Sequence, residues 1–379
     1  MQSYKDLFPR ARQVTYLDTA AEGLPLPAAE EALAAYYRDK ASGSPGRRNF
    51  YAREYECRAS VAGLLGCPVD DVALVSSATE ALAILANSLG LQPGDEVVIN
   101  DLEFPSNVLP WLRLREAGVV VRVARSAGGR VALEDFAAAI GPRTRLVTIS
   151  QVSYKTGTHF PYLAALGALA HQAGAVFCVD ATQALGRLPV ALAGVDYLVA
   201  STYKWMLGVH GLGVLYCAPE LRQRLIPSSI GWYAVNDVFG DQRFERFTLK
   251  ADAVRFMGGM PNFPGIYALK TGVDFLLQVG VENIDRGLRP LVTRLRQGLA
   301  ERGLPLLTPP DPELASGIVS VAAPNAREVG SLLDERGIHT WYGDGRVRAS
   351  VHLYNDEEDI ERYLAALPEV LAPQDVTHG

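Results

Sequence analysis

Cysteine is scarce in this chain of 379 residues: Cys57, Cys67, Cys178 and Cys217 stand far apart, without the paired short spacings of a zinc site or a disulfide framework. Reduced, mostly buried thiols and no metal are expected, and no cysteine follows residue 217. A basic excess is also missing. Lys and Arg number 36 against 42 Asp and Glu, the net charge is −6, and no basic cluster is interleaved with aromatics, which argues against a nucleic-acid partner. No run approaches the length of a membrane-spanning helix. Residues 1–12 mix Lys5, Asp6, Arg10 and Arg12 with few apolar residues, where a signal peptide would carry an apolar stretch. A cytoplasmic protein with no membrane partner is the expectation. No Gly-x-Gly-x-x-Gly follows the first strand, which sets a nicotinamide-dependent dehydrogenase aside.

What is present is apolar and periodic. About half of the residues (49%) are hydrophobic, enough for a sizeable core, and the length favours a large domain with a smaller companion. Short apolar runs at 73–77, 96–100, 119–124, 145–152, 175–180, 197–201 and 213–217 alternate with helical patterns such as 79–89 and 162–173. That rhythm predicts an α/β fold with a mainly parallel sheet. Residues 204–211 are too few for a crossover helix, so the last two strands should be antiparallel. From 264 to 302 the period becomes helical and long, a bridge to further strands at 317–322, 338–342 and 347–353, with helices at 326–336 and 357–367. The expected division is an N-terminal segment (1–15), a large domain (16–263), and a linking helix with a small α/β domain (264–379).

In an open α/β sheet, ligands gather at the carboxyl ends of the strands. Ser76-Ser77-Ala78-Thr79 ends one strand and opens a helix, offering free N–H groups and hydroxyls to an anion, or an ordinary helix cap. Asp180 closes the run 175–180, a carboxylate at the mouth of a buried strand that needs a partner. A protonated pyridine nitrogen is such a partner; a helix cap or a metal ligand is the alternative. Gln183 lies one helical turn on. Lys204 follows the strand 197–201 amid apolar neighbours, where a depressed pKa favours Schiff-base chemistry, although a lysine whose head snorkels to solvent has the same pattern. Only six lysines stand against thirty arginines, and Lys155 is the one real competitor. Phe104, after Asp101-Leu102-Glu103, is placed to stack on an aromatic cofactor or to join the core. Each feature is weak singly; the conjunction points to pyridoxal phosphate (PLP).

These residues resemble the class V aminotransferase family, the cysteine-desulfurase-like branch of fold type I PLP enzymes, from Tyr16-Leu17-Asp18-Thr19-Ala20-Ala21 to about Leu367. Ser77-Ala78-Thr79-Glu80-Ala81 is similar to the phosphate-cup segment, Val179-Asp180-Ala181-Thr182-Gln183 to the pyridine-nitrogen segment, and Ser201-Thr202-Tyr203-Lys204 to Ser-x-His-Lys. The resemblance implies a seven-stranded large domain plus a small C-terminal domain, with Lys204 carrying the cofactor. It makes Asp180 the ring-nitrogen partner, Gln183 the phenolate partner, and Ser77, Ala78, Thr79, Ser201 and Tyr203 the phosphate surround. Phe104 stands for the stacking histidine and Tyr154 for a common asparagine. Arg348 is similar to the substrate-carboxylate clamp, with Ala21 and Tyr154 beside the substrate. Gly258-Gly259-Met260-Pro261-Asn262 resembles the loop that reaches the neighbouring subunit's phosphate, which implies a homodimer; Met260 replaces a threonine there.

The departure that matters lies between Tyr342 and Arg346. Persulfide-forming desulfurases carry a nucleophilic cysteine on a loop there, and this chain has only Gly343-Asp344-Gly345. The expected reaction is therefore a carbon–sulfur β-elimination from a cysteine-derived amino acid without an enzyme persulfide. An isopenicillin N epimerase-like activity and an aminotransferase are the alternatives, and a non-catalytic PLP-fold binding protein is the rival of another class.

Overall fold

The described residues, 3–371 of a computed structural model, contain thirteen strands. In chain order they are β1 (Thr15–Leu17), β2 (Val72–Val75), β3 (Glu96–Asn100), β4 (Val120–Ala124), β5 (Thr144–Ser150), β6 (Val176–Asp180), β7 (Tyr197–Ser201), β8 (Gly213–Cys217), β9 (Val235–Asn236), β10 (Thr248–Leu249), β11 (Ile318–Ala322), β12 (Ile338–Gly343) and β13 (Arg346–Ser350). Met1, Gln2 and residues 372–379, included in the expected terminal segments, lie outside the described residues.

Seven strands form one sheet in the order β2-β8-β7-β6-β5-β3-β4. All its pairings are parallel except those of β8, which runs antiparallel to β7 and β2. The short connection after Lys204 allows no crossover, so β8 turns back with Ser201 opposite Gly213. Strands β3 and β6 are buried at every residue, as parallel strands in the middle of such a sheet must be. The strand expected over 145–152 stops at Ser150. Beyond it the Gln151 N–H donates to Asp180 O (2.9 Å) and Val152 bridges His159, so the chain bends across the strand ends.

The second sheet has the order β1-β12-β13-β11. Its first member is β1, which pairs in parallel with β12 (Thr15 with Ile338, Leu17 with Thr340). Tyr16 and Leu17, placed in the large domain by sequence, thus hydrogen-bond to the C-terminal sheet. The long helical stretch is two helices, Phe263–Val279 and Val281–Glu301, parted at Gly280, whose φ of 84° no helix can continue through. Asn262 starts the first, its side chain accepting from the Gly265 N–H (3.1 Å).

The two sheets meet around Trp205, which is fully buried with Ala20, Val152, Ala184, Leu188 and Ile318. Arg187 adds a buried tie, donating to Asp285 (3.1 Å) and to Val351 O (3.2 Å). The turn after β7 that carries Lys204 and Trp205 is tied to the segment after β13 by the His352 ring nitrogen, 3.1 Å from Trp205 O.

Candidate active site

At the carboxyl ends of β2, β5, β6 and β7 the chain encloses a cavity of about 150 Å³. Ser77, Ala78, Thr79, Phe104, Tyr154, Asp180, Gln183, Ser201, Tyr203 and Lys204, all singled out by sequence, line it together. Ser106, Ser150, Val152 and Thr182 also line it and were missed. Thr182 lies inside a segment already marked, Ser106 stands two residues beyond Phe104, and only the bend after Ser150 brings Val152 in. Ala21, Met260 and Arg348 are not on its wall.

One end of the cavity has features that suit an anion. Helix Ala78–Ser88 starts there, and its first-turn N–H groups have no partner within the helix. The Ser77 hydroxyl is already used, accepting from the Glu80 N–H (3.0 Å), so Ser77 is a helix cap. Thr79 and Ser106 hydroxyls bond each other across the opening (2.8 Å). Gly213 permits the close approach of β8, because a Cβ there would sit 2.4 Å from the Ser77 carbonyl carbon.

Asp180 lies at the buried end. One carboxylate oxygen accepts from the Thr182 N–H (2.9 Å), and burial raises its pKa against that bond and the pull of Lys204. Glu103, buried behind it, accepts from Ser150 N–H (2.7 Å) and Asn107 (2.8 Å); burial raises its carboxyl to about 7. Gln183 is pinned on both sides, donating to Ala20 O (2.9 Å) and accepting from the Trp205 indole N–H (2.6 Å). One N–H of its amide remains for a ligand.

Lys204 is 8% exposed, at the head of a sharp turn that puts Leu207 at φ 56°. Burial, then Arg348, lowers its amine to about 8 against the opposing influence of Asp180, Glu22 and Asp18. Gly23 packs directly on its backbone, where a Cβ would stand 2.0 Å from Lys204 O. The amine lies 5.6 Å from the centre of the Phe104 ring, which meets Tyr154 edge-on (5.0 Å) and is 42% exposed. An apolar ring that open on a cavity wall has a face able to stack on an aromatic group. Tyr203 stacks on His210 (4.2 Å), which pairs with Glu22 (3.1 Å).

Arg348, 3% exposed, lies behind Tyr154 and donates to its carbonyl (2.9 Å). Its Nε has no acceptor among the described residues. Ala21 belongs to a turn, its N–H donating to Asp18 O (2.9 Å). Met260 is 46% exposed and lines a separate groove with Ser76, Glu80 and Gly211. Lys155 does not line the cavity. Among the described residues no helix is long and apolar enough to cross a membrane, and no group of three or more His, Cys, Asp or Glu is placed to hold a metal.

An amine with a lowered pKa, a buried carboxylate, an open aromatic face and a helix N-terminus thus surround one small cavity. They match in kind the aldehyde, ring nitrogen, ring face and phosphate of PLP.

The aminotransferase class-V family description matches residues 15–363. A probable cysteine desulfurase of Methanothermobacter thermautotrophicus is 31% identical, covering 96% of each chain. The apo structure of the cysteine desulfurase from Thermococcus onnurineus NA1 superposes with a TM-score of 0.89 at 27% identity, covering 98% of each chain. The cystine C-S lyase C-DES, in complex with its product cysteine persulfide, shares the fold with a TM-score of 0.88 at 23% identity, covering 96% of this chain and 99% of that one. The chain belongs to the aminotransferase class-V family, in the cysteine-desulfurase-like branch of fold type I enzymes, and its cofactor is pyridoxal phosphate.

Proposed function

We propose that this protein is a carbon–sulfur β-lyase acting on a cysteine-derived α-amino acid, with no persulfide formed on the enzyme. The observation that carries this reading is the β12–β13 hairpin. Only Asp344 and Gly345 connect the strands, with φ of 45° and 70°, as a two-residue turn with both central residues left-handed requires. Such a turn has no length to bring a thiol to the cavity. The four cysteines do not replace it. Cys57, Cys178 and Cys217 are buried with thiols pushed far up by burial, Cys67 is pushed up to about 11, and none lines the cavity.

Bound PLP supplies the electron sink that makes the substrate α-proton acidic. Lys204 Nζ, the one basic nitrogen on the cavity wall among the described residues, would take that proton. Asp180 would pair with the protonated ring nitrogen, the remaining Gln183 N–H would serve the phenolic oxygen, and Ala78, Thr79, Ser201 and Tyr203 would surround the phosphate. Arg348 holds the substrate carboxylate with Ala21 and Tyr154 beside it, its unpaired Nε being the group offered. The Cβ–S bond would then break as a Cα–Cβ double bond forms, its electron pair leaving on sulfur, which takes up the proton held by Lys204 and departs as a thiol, and the released aminoacrylate would take up water to give pyruvate and ammonia. A homodimer belongs to this reading, with Met260 and its neighbours reaching the partner's cavity through the backbone.

Product analysis tests it. A variant with all four cysteines changed to serine or alanine, shown to fold and to bind PLP, is expected to retain its turnover and to release pyruvate. Alanine as product, together with loss of turnover in that variant, would mean a thiol relay; an inverted stereocentre or a keto acid would assign the enzyme to epimerisation or transamination. Borohydride treatment of the wild-type protein, followed by peptide mapping, is expected to place the cofactor on Lys204. Label on Lys155 would refute the assignment.

A further inference from the structure

Arg346 stands two residues before Arg348 on β13, so both side chains leave the same face of the strand, roughly 6.6 Å apart along it. Both guanidinium groups lie over the indole of Trp341, at 4.6 Å and 5.1 Å from its centre, and that of Arg346 also lies 5.2 Å from the ring centre of Tyr154, a residue of the cavity wall. Arg346 is 1% exposed. Its Nη1 donates to the Asp344 carboxylate and, at 3.4 Å, to Asp344 O. Its Nε and Nη2 are buried and have no acceptor among the described residues. Those two nitrogens form the side-on edge of the guanidinium fork, the edge that grips a carboxylate bidentately.

A buried N–H without an acceptor is destabilising, and here two such nitrogens occur on one cation beside a second cation whose Nε also has no acceptor among the described residues. Packing alone does not account for them, since stacking on Trp341 and pairing with Asp344 use the ring faces and Nη1. Neither arginine lines the cavity, and a ligand with two negative groups, reaching past Tyr154, would supply the acceptors. Holding the α-carboxylate needs only Arg348, and the spacing of alternate strand residues sets the second anion several bonds away along the substrate.

We infer that Arg346 is a specificity residue that receives a second carboxylate, on the far side of the sulfur, so that the substrate is a cysteine thioether or disulfide whose other half, beyond the sulfur, is anionic. The inference rests on the reading of Arg348 as the α-carboxylate clamp. It does not depend on which bond breaks afterwards.

The test compares S-(2-carboxyethyl)-L-cysteine with S-(2-carbamoylethyl)-L-cysteine, equal in shape and different by one charge, as ligands of the holoenzyme. Binding is read from the absorbance of the bound cofactor and pyruvate is assayed separately. The acid is expected to bind about 10- to 100-fold more tightly than the amide. In Arg346→Gln that preference is expected to fall to near unity while affinity for the amide barely changes. Equal affinities in the wild type, no spectral response to either compound, or a preference retained in Arg346→Gln each overturn the proposal. Arg346→Lys, which keeps the charge and loses the fork, is expected to lower the preference and stands in if the glutamine variant does not fold. Should neither fold, the wild-type ratio decides. Absence of pyruvate with the preference intact would sink the elimination reading and leave this one standing.

Discussion

Lys204→Ala is expected to lower turnover by at least about 10²–10⁴-fold, the usual contribution of a positioned proton-transfer group, and to leave PLP removable by dialysis. The cavity wall offers no other amine to replace it. The Lys204 amine is held down at about 8, chiefly by burial, so its neutral form, the one that reacts with an aldehyde, is present at lower pH than for an ordinary lysine. Covalent capture of added PLP by the apoprotein should accordingly rise with pH, pass half-maximum near 8, and level off above it. Stopped-flow absorbance across pH 6–10 measures this, and a rate that keeps climbing beyond pH 10, as for an unperturbed lysine, would contradict the electrostatic account. Substantial turnover in Lys204→Ala would remove Lys204 from the chemistry altogether.

Arg348→Ala is expected to weaken the binding of amino acids by about 10- to 100-fold while leaving the corresponding amines, which lack the carboxylate, nearly unaffected. The comparison is needed because Arg348 also donates to Tyr154 O, and that carbonyl loses its partner in the variant. Equal losses for amino acids and amines would make Arg348 a support for Tyr154 and nothing more. Arg348→Lys should recover only part of the affinity, since an ammonium restores the charge without the planar fork.

Much of the site was legible because a parallel sheet places its chemistry at strand ends, and strand ends are visible as the close of apolar runs. Asp180 after 175–179 and Lys204 after 197–201 follow from that alone, as does a helix opening after Ser77, expected over 79–89 and found at Ala78–Ser88. Assigning them to one cofactor required the resemblance, since each has a bland local reading, and Ser77 is indeed a helix cap. The hairpin at Asp344-Gly345 was also readable, because the number of residues between two strands limits what the connection can carry.

The chain's own order of residues determined the alternation of strands and helices, the reversal of β8, the lysine and carboxylate at adjacent strand ends, and the lack of a thiol near the small-sheet hairpin. All of these are local: they depend on side-chain period, connection length and residue identity. Tertiary structure alone decided that β1 joins a sheet formed more than 300 residues later, that Gln183 is fixed by Ala20 and Trp205, that Arg348 stands behind Tyr154, and that Arg346 keeps a buried edge with no partner among the described residues. Each of these pairs groups distant in the chain, and whether a buried polar atom finds an acceptor is settled by which distant segment packs against it, a fact that no local pattern contains.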